Sequence, residues 1–221
     1  MTTELVDTPV GKARITWHPP DGNARAVALL GHGSATGVEA PDLQALATAL
    51  PLRGVLVGLV TQPYRLEGNR AAADEASLDA AWTAVWASAA GMGLPMIAGG
   101  RSAGAQVACR TAVELGARAV LALAYPLLGP GSARELLATG RPTLVIQGGS
   151  DPFGRPDQFP ALPPEIELVE IPAANHTFDA AGAVTRPGSM ARIATSAGEW
   201  IERRLSAPPS TSSPRLAQHG G

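Results

Sequence analysis

A serine, an aspartate and a histidine of this 221-residue chain each follow a short apolar run. Ser102 lies in the stretch GGRSAGA, Asp151 in GGSDPFG and His176 in PAANHTF. A histidine can take the proton of a serine hydroxyl while a carboxylate orients the imidazole, and the hydroxyl then becomes a nucleophile. The chain order serine, acid, base is one that natural proteins use for acyl transfer. We therefore interpret Ser102, Asp151 and His176 as candidate nucleophile, acid and base.

The small residues around Ser102 fit a sharp turn between a strand and a helix. Gly100 and Gly104 stand two residues before and after the serine, where such a turn crowds the backbone. A helix that opens at Ala103 would direct free N–H groups at a developing oxyanion. The Gly-rich stretch GHGSATG, residues 31–37, could bring a further N–H close to a bound carbonyl. A lone G-x-S-x-G is weak, so the hypothesis depends on four loops that agree.

Other residues compete for these roles. His32 is the rival base, but an imidazole in a Gly-rich loop more often braces the backbone. Asp157 and Asp179 are rival acids, and Asp179 is too close in sequence to His176 to meet it easily. Asp151 itself could be only a turn residue, because Asp-Pro readily starts a turn. Cys109 lies about two turns along the predicted helix and is interpreted as a buried small apolar residue.

Three residues could bind substrate. Arg101 precedes the nucleophile, and it could face solvent, form a structural ion pair or meet an anionic substrate. The same alternatives hold for Arg65 in QPYR. Tyr125 follows a predicted strand, and it could line an acyl pocket or simply pack on Pro126.

The apolar pattern alternates between strands and helices. Continuous aliphatic runs predict strands buried on both faces, and 3.6-residue spacing predicts the helices between them. The predicted strands are residues 13–17, 26–30, 55–59, 95–98, 119–124, 143–147 and 166–171. The predicted helices are residues 42–50, 69–90, 102–115, 132–139 and 190–205. Tryptophans at helical spacing (Trp82, Trp86, Trp200) are expected to pack in the core. The alternation predicts an α/β fold with a mostly parallel sheet, whose sites form at the carboxyl ends of the strands.

Composition narrows the function classes. Apolar residues make up 45% of the chain and charged residues 16%, with a net charge of −2, so nothing favours nucleic acid or an anionic membrane surface. One cysteine permits neither an intramolecular disulfide nor a thiolate metal site. No apolar run is long enough to span a membrane, and the first ten residues do not resemble a signal peptide. The expectation is a cytoplasmic protein, with one domain over residues 1–205 and a disordered tail over 206–221.

Six stretches carry a resemblance to the α/β-hydrolase superfamily, from about residue 26 to residue 204. They are GHGSATG, QPYR, GGRSAGAQVA, LALAYPLLGPG, PTLVIQGGSDPFG and ELVEIPAANHTF. The chain resembles small members without a cap, near the dienelactone hydrolases. It is most similar to a family of predicted α/β-hydrolases that includes a hydrolase-like subunit of a chromatin acetyltransferase complex and testis-expressed relatives.

The resemblance implies roles for particular residues. Ser102 would be the nucleophile, Asp151 the acid and His176 the base, with the backbone N–H groups of Ser34 and Ala103 as oxyanion donors. Dienelactone hydrolases carry a cysteine where this chain has Ser102, so their particular substrate does not transfer. The predicted function is hydrolysis of a small ester or thioester through an acyl-enzyme, with no cofactor and no metal. A non-catalytic module that binds a protein partner, or an acyltransferase with the same triad, are the alternatives.

The resemblance also bears on the shape of the site. Larger relatives insert a cap between two strands that are here separated by only residues 125–142, too little chain for a cap domain. The sequence therefore predicts a shallow, open cleft, with Arg101 and Arg65 at its rim.

Overall fold

An eight-stranded sheet organises the described residues of the computed structural model, which are 1–69, 73–128, 131–180 and 186–206. The strands are β1 Thr2–Thr8, β2 Gly11–His18, β3 Ala26–Gly31, β4 Val55–Thr61, β5 Met96–Arg101, β6 Ala119–Leu123, β7 Thr143–Gly148 and β8 Ile166–Ile171. The helices are α1 Pro41–Ala49, α2 Pro63–Leu66, α3 Glu75–Ala90, α4 Ala103–Thr111, α5 Arg134–Leu137 and α6 Arg186–Ser206.

The order of the strands places a crevice beside β3 and β5. The sheet runs β1-β2-β4-β3-β5-β6-β7-β8; β1 and β2 are antiparallel, and β3 to β8 are parallel to one another. From β3 the chain moves outward to β4, and it then returns to the other side of β3 as β5. Open parallel sheets bind ligands outside the carboxyl ends of the strands at such a reversal. Loop 31–37 and Ser102 lie at this point.

Helices cover both faces of the sheet, because its central strands are apolar on both sides. In β3, Val27 and Leu29 join one hydrophobic cluster, and Ala28 and Leu30 join the other. Residues of α3 and α4 complete the first cluster, and residues of α1 and α6 complete the second. The three tryptophans of the predicted helix stripes are buried in these clusters. The α/β fold with a mostly parallel sheet expected from the sequence is confirmed.

Most differences from the predicted elements lie at their ends or at the edge of the sheet. β8 has its predicted bounds, whereas α3 begins six residues later than predicted. It begins there because the Asp74 side chain accepts a hydrogen bond from the Ser77 N–H at 2.9 Å and caps the helix. The sequence analysis missed β1, whose burial alternates between exposed and half-buried residues, and also α2.

The segment between β6 and β7 is short. Among its described residues, α5 is the helix that forms, and no cap domain covers the sheet. The domain predicted over residues 1–205 ends one residue before the end of α6 at Ser206. The expected tail lies outside the described residues from position 207 onward. No described helix has the length and apolar character needed to cross a lipid bilayer.

Candidate active site

Ser102 lies on a strained turn between β5 and α4. Its φ and ψ are 52° and −119°, a conformation that side chains other than glycine rarely adopt and that costs about 1–3 kcal/mol. The Ser102 N–H donates to the Leu123 carbonyl at 2.9 Å, which ties the turn to the end of β6. A Cβ added to Gly100 or to Gly104 would lie 2.5 Å from the Gly31 carbonyl oxygen. The glycines flanking the serine are thus required by the close approach of the β3 loop.

Ser102, His176 and Asp151 form a hydrogen-bonded row. His176 Nε2 lies 3.1 Å from Ser102 Oγ, and His176 Nδ1 lies 2.8 Å from Asp151 Oδ2. A carboxylate beside Nδ1 accepts its proton in a hydrogen bond, which leaves Nε2 to accept the hydroxyl proton of the serine. The structure therefore brings together the three residues that the sequence singled out, in the contacts expected of nucleophile, base and acid.

Asp151 is held by contacts besides the histidine. It is 1% exposed, its Oδ1 accepts the Phe153 N–H at 2.8 Å, and Gln147 Nε2 donates to its Oδ2 at 3.0 Å. The loop after β7 therefore fixes the carboxylate before any substrate arrives. The rival acids lie elsewhere: Asp157 pairs with Arg155 at the surface, and Asp179 with Arg186.

His32 braces the loop after β3. Its ring is 3% exposed; Nδ1 lies 2.7 Å from the Gly33 carbonyl oxygen, and Nε2 accepts the Gln62 N–H at 3.1 Å. With one nitrogen donating and the other accepting, the ring is a neutral imidazole in a fixed tautomer. Burial lowers the pKa of His32, in agreement with a neutral ring. The bracing role expected from the sequence is what this geometry gives.

The two candidate oxyanion donors lie on either side of the nucleophile. A Cβ built on Gly33 would lie 3.3 Å from the Ser102 Cβ, so the segment leading to Ser34 runs beside the serine. Ser34 is half-buried, and no described residue accepts a hydrogen bond from its N–H. Ala103 is the first residue of α4, where an N–H has no acceptor within the helix. Both N–H groups therefore remain available to a ligand.

Arg101 does not lie at the rim of a cleft, contrary to the sequence expectation. It is 3% exposed, and its guanidinium donates to Asp42 Oδ2 at 2.9 Å, to Thr36 Oγ1 at 2.6 Å and to the His176 carbonyl oxygen at 2.7 Å. These three partners belong to α1, to the loop after β3 and to the loop that carries the candidate base. Arg101 is thus a buried tie between segments of the site.

The other two candidate substrate residues also have structural partners. Arg65 Nη2 donates to the Ala35 carbonyl at 3.3 Å and lies 4.0 Å from a Glu39 carboxylate oxygen, so it covers the loop after β3. Tyr125 is fully buried, and its hydroxyl donates to the Ser132 carbonyl at 3.1 Å. Burial is also the main cause that raises the pKa of Tyr125. Tyr125 supports the segment before α5 and cannot line an open cleft.

The sequence analysis did not single out Phe153. Its ring meets the His176 ring edge to face, with 4.6 Å between the ring centroids, and 43% of the residue is exposed. The feature of the sequence that points to Phe153 is its position in DPFG, two residues after the candidate acid. Among the described residues, no group of three His, Cys, Asp or Glu side chains is placed to hold a metal ion.

The fold and this row of residues define the class of α/β hydrolases. The family described as "Alpha/beta hydrolase domain" matches residues 24–202, and the chain belongs to it. No curated protein sequence matches the chain.

Solved structures of bacterial hydrolases share the fold. An α/β serine hydrolase without a lid from Xanthomonas campestris has a TM-score of 0.74 at 21% identity, over 94% of this chain and 96% of that one. A dienelactone hydrolase from Anabaena variabilis has a TM-score of 0.71 at 22% identity, over 91% and 96% of the two chains. Est1E from Butyrivibrio proteoclasticus has a TM-score of 0.73 at 13% identity, over 94% and 100%. At these identities the likeness shows the fold alone.

Proposed function

We propose that the chain is a serine hydrolase that cleaves an ester or a thioester through an acyl-enzyme. The observation that carries this proposal is the row of Ser102, His176 and Asp151 beside the N–H groups of Ser34 and Ala103, which bond to no acceptor in the described part of the chain. A protein that only binds a partner has no physical need for this row at the ends of three strands. Within the family, we place the chain near the predicted α/β-hydrolases that include the chromatin acetyltransferase subunit, on the motifs quoted above.

In the first half of the reaction, Ser102 Oγ attacks the carbonyl carbon and His176 Nε2 takes the hydroxyl proton. Asp151 keeps the imidazole in the productive tautomer and stabilises the imidazolium. The N–H groups of Ser34 and Ala103 donate to the oxyanion, and one such donor is typically worth about 3 kcal/mol. The tetrahedral intermediate then expels the alcohol or thiol, which receives the proton from His176.

In the second half, water attacks the acyl-enzyme. His176 removes a proton from the water, the new oxyanion occupies the same two N–H groups, and Ser102 leaves with the proton that His176 returns. The free acid is then released. Acyl transfer to another alcohol or thiol would follow the same steps with that acceptor in place of water.

The test compares the wild type with Ser102→Ala and His176→Ala on p-nitrophenyl acetate and on a short acyl thioester. Because these residues act as a unit, each substitution is expected to lower kcat by about 10⁴ or more, and the double variant by little more. A fluorophosphonate probe should label the wild type and leave Ser102→Ala unlabelled. An unlabelled wild type with no hydrolysis would refute the proposal and favour a binding module, and half-maximal activity in His176→Ala would mean that the base is assigned wrongly.

A further inference from the structure

A cavity of about 670 Å³ lies between α5 and the loop that follows the candidate acid, and its volume is within the roughly 300–1,000 Å³ typical of small-molecule sites. Its walls are the start of α5 and the loop from Pro152 to Pro160. Phe153 belongs to both features, because its ring contacts the His176 imidazole and also lines the cavity. The space therefore begins one aromatic ring away from the atom that would move the proton.

The wall next to the base is fixed in position. The Phe153 N–H is held by Asp151 Oδ1, and its carbonyl accepts the Leu127 N–H at 2.6 Å. A Cβ added to Gly154 would lie 3.0 Å from Leu127 side-chain atoms, so the two segments lie in close contact. The same loop thus shapes both the candidate acid and the cavity wall.

A second cavity of about 390 Å³ adjoins the first, and the two share Gly131, Ser132 and Arg134. Gln106 lines this second space and lies four residues, one helical turn, beyond Ser102 on α4. The two cavities together extend from the helix of the candidate nucleophile to the ring beside the candidate base.

Large apolar side chains are exposed along these cavities. Leu137 and Phe153 line the larger one and are 40% and 43% exposed, while Leu128 lines the smaller one and is 65% exposed. Three exposed apolar side chains around one cleft indicate a binding site better than the same residues scattered singly would.

One positively charged side chain lines the larger cavity beside these apolar residues. Arg134 is the charged residue among the described residues that line the larger cavity. Its side chain is exposed, and among the described residues its guanidinium has no hydrogen-bond or ion-pair partner. The neighbouring Glu135 pairs with Arg110 at 2.9 Å and forms no ion pair with Arg134.

We propose that the two cavities form one cleft, which binds the apolar part of the substrate. That part is a medium-length hydrocarbon or aromatic group, and it ends in a carboxylate that faces Arg134. The inference rests on the proposed hydrolase function, and it assigns to Arg134 the anion-binding role that the sequence suggested for Arg101. It also replaces the shallow cleft expected from the sequence with a site for a longer group.

Two substrate series test the proposal and show which side of the ester enters the cleft. One series lengthens the acyl group of p-nitrophenyl esters from acetate to octanoate, and the other lengthens the alcohol of alkyl acetates. Each methylene fully buried should raise kcat/KM about fourfold, the equivalent of about 0.8 kcal/mol. Because the cleft is open, we expect a total rise of tenfold or more in one series. Two flat series, with Ser102-dependent acetate hydrolysis intact, would overturn the inference and leave the proposed function standing.

Two substitutions test whether the dependence of kcat/KM on chain length arises in the larger cavity. Leu137→Trp, which fills the cavity, should lower the ratio of long-chain to acetate kcat/KM at least tenfold. Leu52→Trp is the matched control, since Leu52 is 80% exposed and lies just before β4, in the half of the sheet away from β6 and β7, which α5 connects. A ratio unchanged by Leu137→Trp would overturn the inference.

The charge is tested with chains of equal length that end in a carboxylate or in a methyl group. The carboxylate should improve kcat/KM about two- to fivefold, the size expected of an exposed ion pair, and Arg134→Gln should remove the difference. Arg192→Gln, an exposed arginine on α6, is the control. Equal values for the two chains would overturn the anionic substrate class.

Calorimetric titration of Ser102→Ala with octanoate and octanedioate needs no turnover, so it tells a failure of this inference from a failure of the proposed function. Binding that Leu137→Trp abolishes supports the cleft even where no ester is hydrolysed. Absence of binding for both acids overturns it.

Discussion

Arg101→Met removes the charge that ties three segments of the site together while keeping much of the apolar stem of the side chain. The variant loses the bonds to Thr36 Oγ1 and to the His176 carbonyl, and it leaves the Asp42 carboxylate without its cation. Asp42 is 1% exposed, so bulk water does not reach its carboxylate in the wild-type structure.

The burial of the Arg101–Asp42 ion pair determines how much the free energy of unfolding falls. Removing one partner of a buried ion pair costs about 3–5 kcal/mol, because a charge stays buried without compensation. Burial already raises the pKa of Asp42, and Arg101 opposes that rise. In the variant only backbone hydrogen bonds oppose it, so the folded-state pKa of Asp42 rises further above its unfolded value. A folded state that binds the proton more tightly gains stability as the pH falls, by up to about 1.4 kcal/mol per pH unit. The destabilisation should therefore be large at pH 8 and smaller at pH 5.5.

Urea unfolding at pH 8 and at pH 5.5 measures how much stability the Arg101→Met variant loses. The free energy of unfolding of Arg101→Met is compared with that of Arg101→Met/Asp42→Asn, in which the titrating group is absent. The gap between the two variants should narrow at the lower pH. Arg155→Met is the control, because the Arg155–Asp157 pair is exposed and should contribute less than about 1 kcal/mol. A loss below 1 kcal/mol at pH 8, or a gap between the variants that does not change with pH, would refute the reasoning.

Three further predictions concern the site and its supports. Asp151→Asn should favour the wrong imidazole tautomer and lower kcat about 10⁴-fold, whereas Asp157→Asn should lose less than tenfold; p-nitrophenyl acetate kinetics decide between them. Gly104→Ala places a Cβ 2.5 Å from a backbone oxygen and should lower the free energy of unfolding by about 3 kcal/mol or more, while Gly22→Ala, with open space around it, should change it by less than about 0.5 kcal/mol. Burial raises the pKa of the Cys109 thiol to about 12, so iodoacetamide at pH 8 should modify it only after the protein is unfolded, and rapid native labelling would contradict its burial.

The sequence predicted the central sheet well because burial on both faces leaves a continuous apolar run in each strand. β3 could be predicted to within one residue for that reason, and β5 to within three residues at its end. The edge strand β1 is only partly buried, so its threonines and acidic residues do not form a continuous apolar run. Ser102, Asp151 and His176 could be predicted because each follows a strand, and the carboxyl ends of parallel strands meet at one edge.

The roles of Arg101 and Tyr125 depended on contacts between segments distant in sequence, which a local pattern does not contain. The partners of Arg101 are 59, 65 and 75 residues away along the chain.

One local feature of the sequence does bear on the role of Arg101. Arg101 is the last residue of β5, so its side chain leaves one face of the sheet, as strand side chains do. In β5 this direction leads into the segment between α1 and the loop of His176, where a buried cation can tie both. In the proposed cleft the substrate residues come from neighbouring segments, Phe153 from the loop after β7 and Arg134 from the start of α5. Adjacency in sequence to a nucleophile is therefore a reason to expect a positioning role, and exposure around a shared cavity is the better guide to a residue that binds substrate.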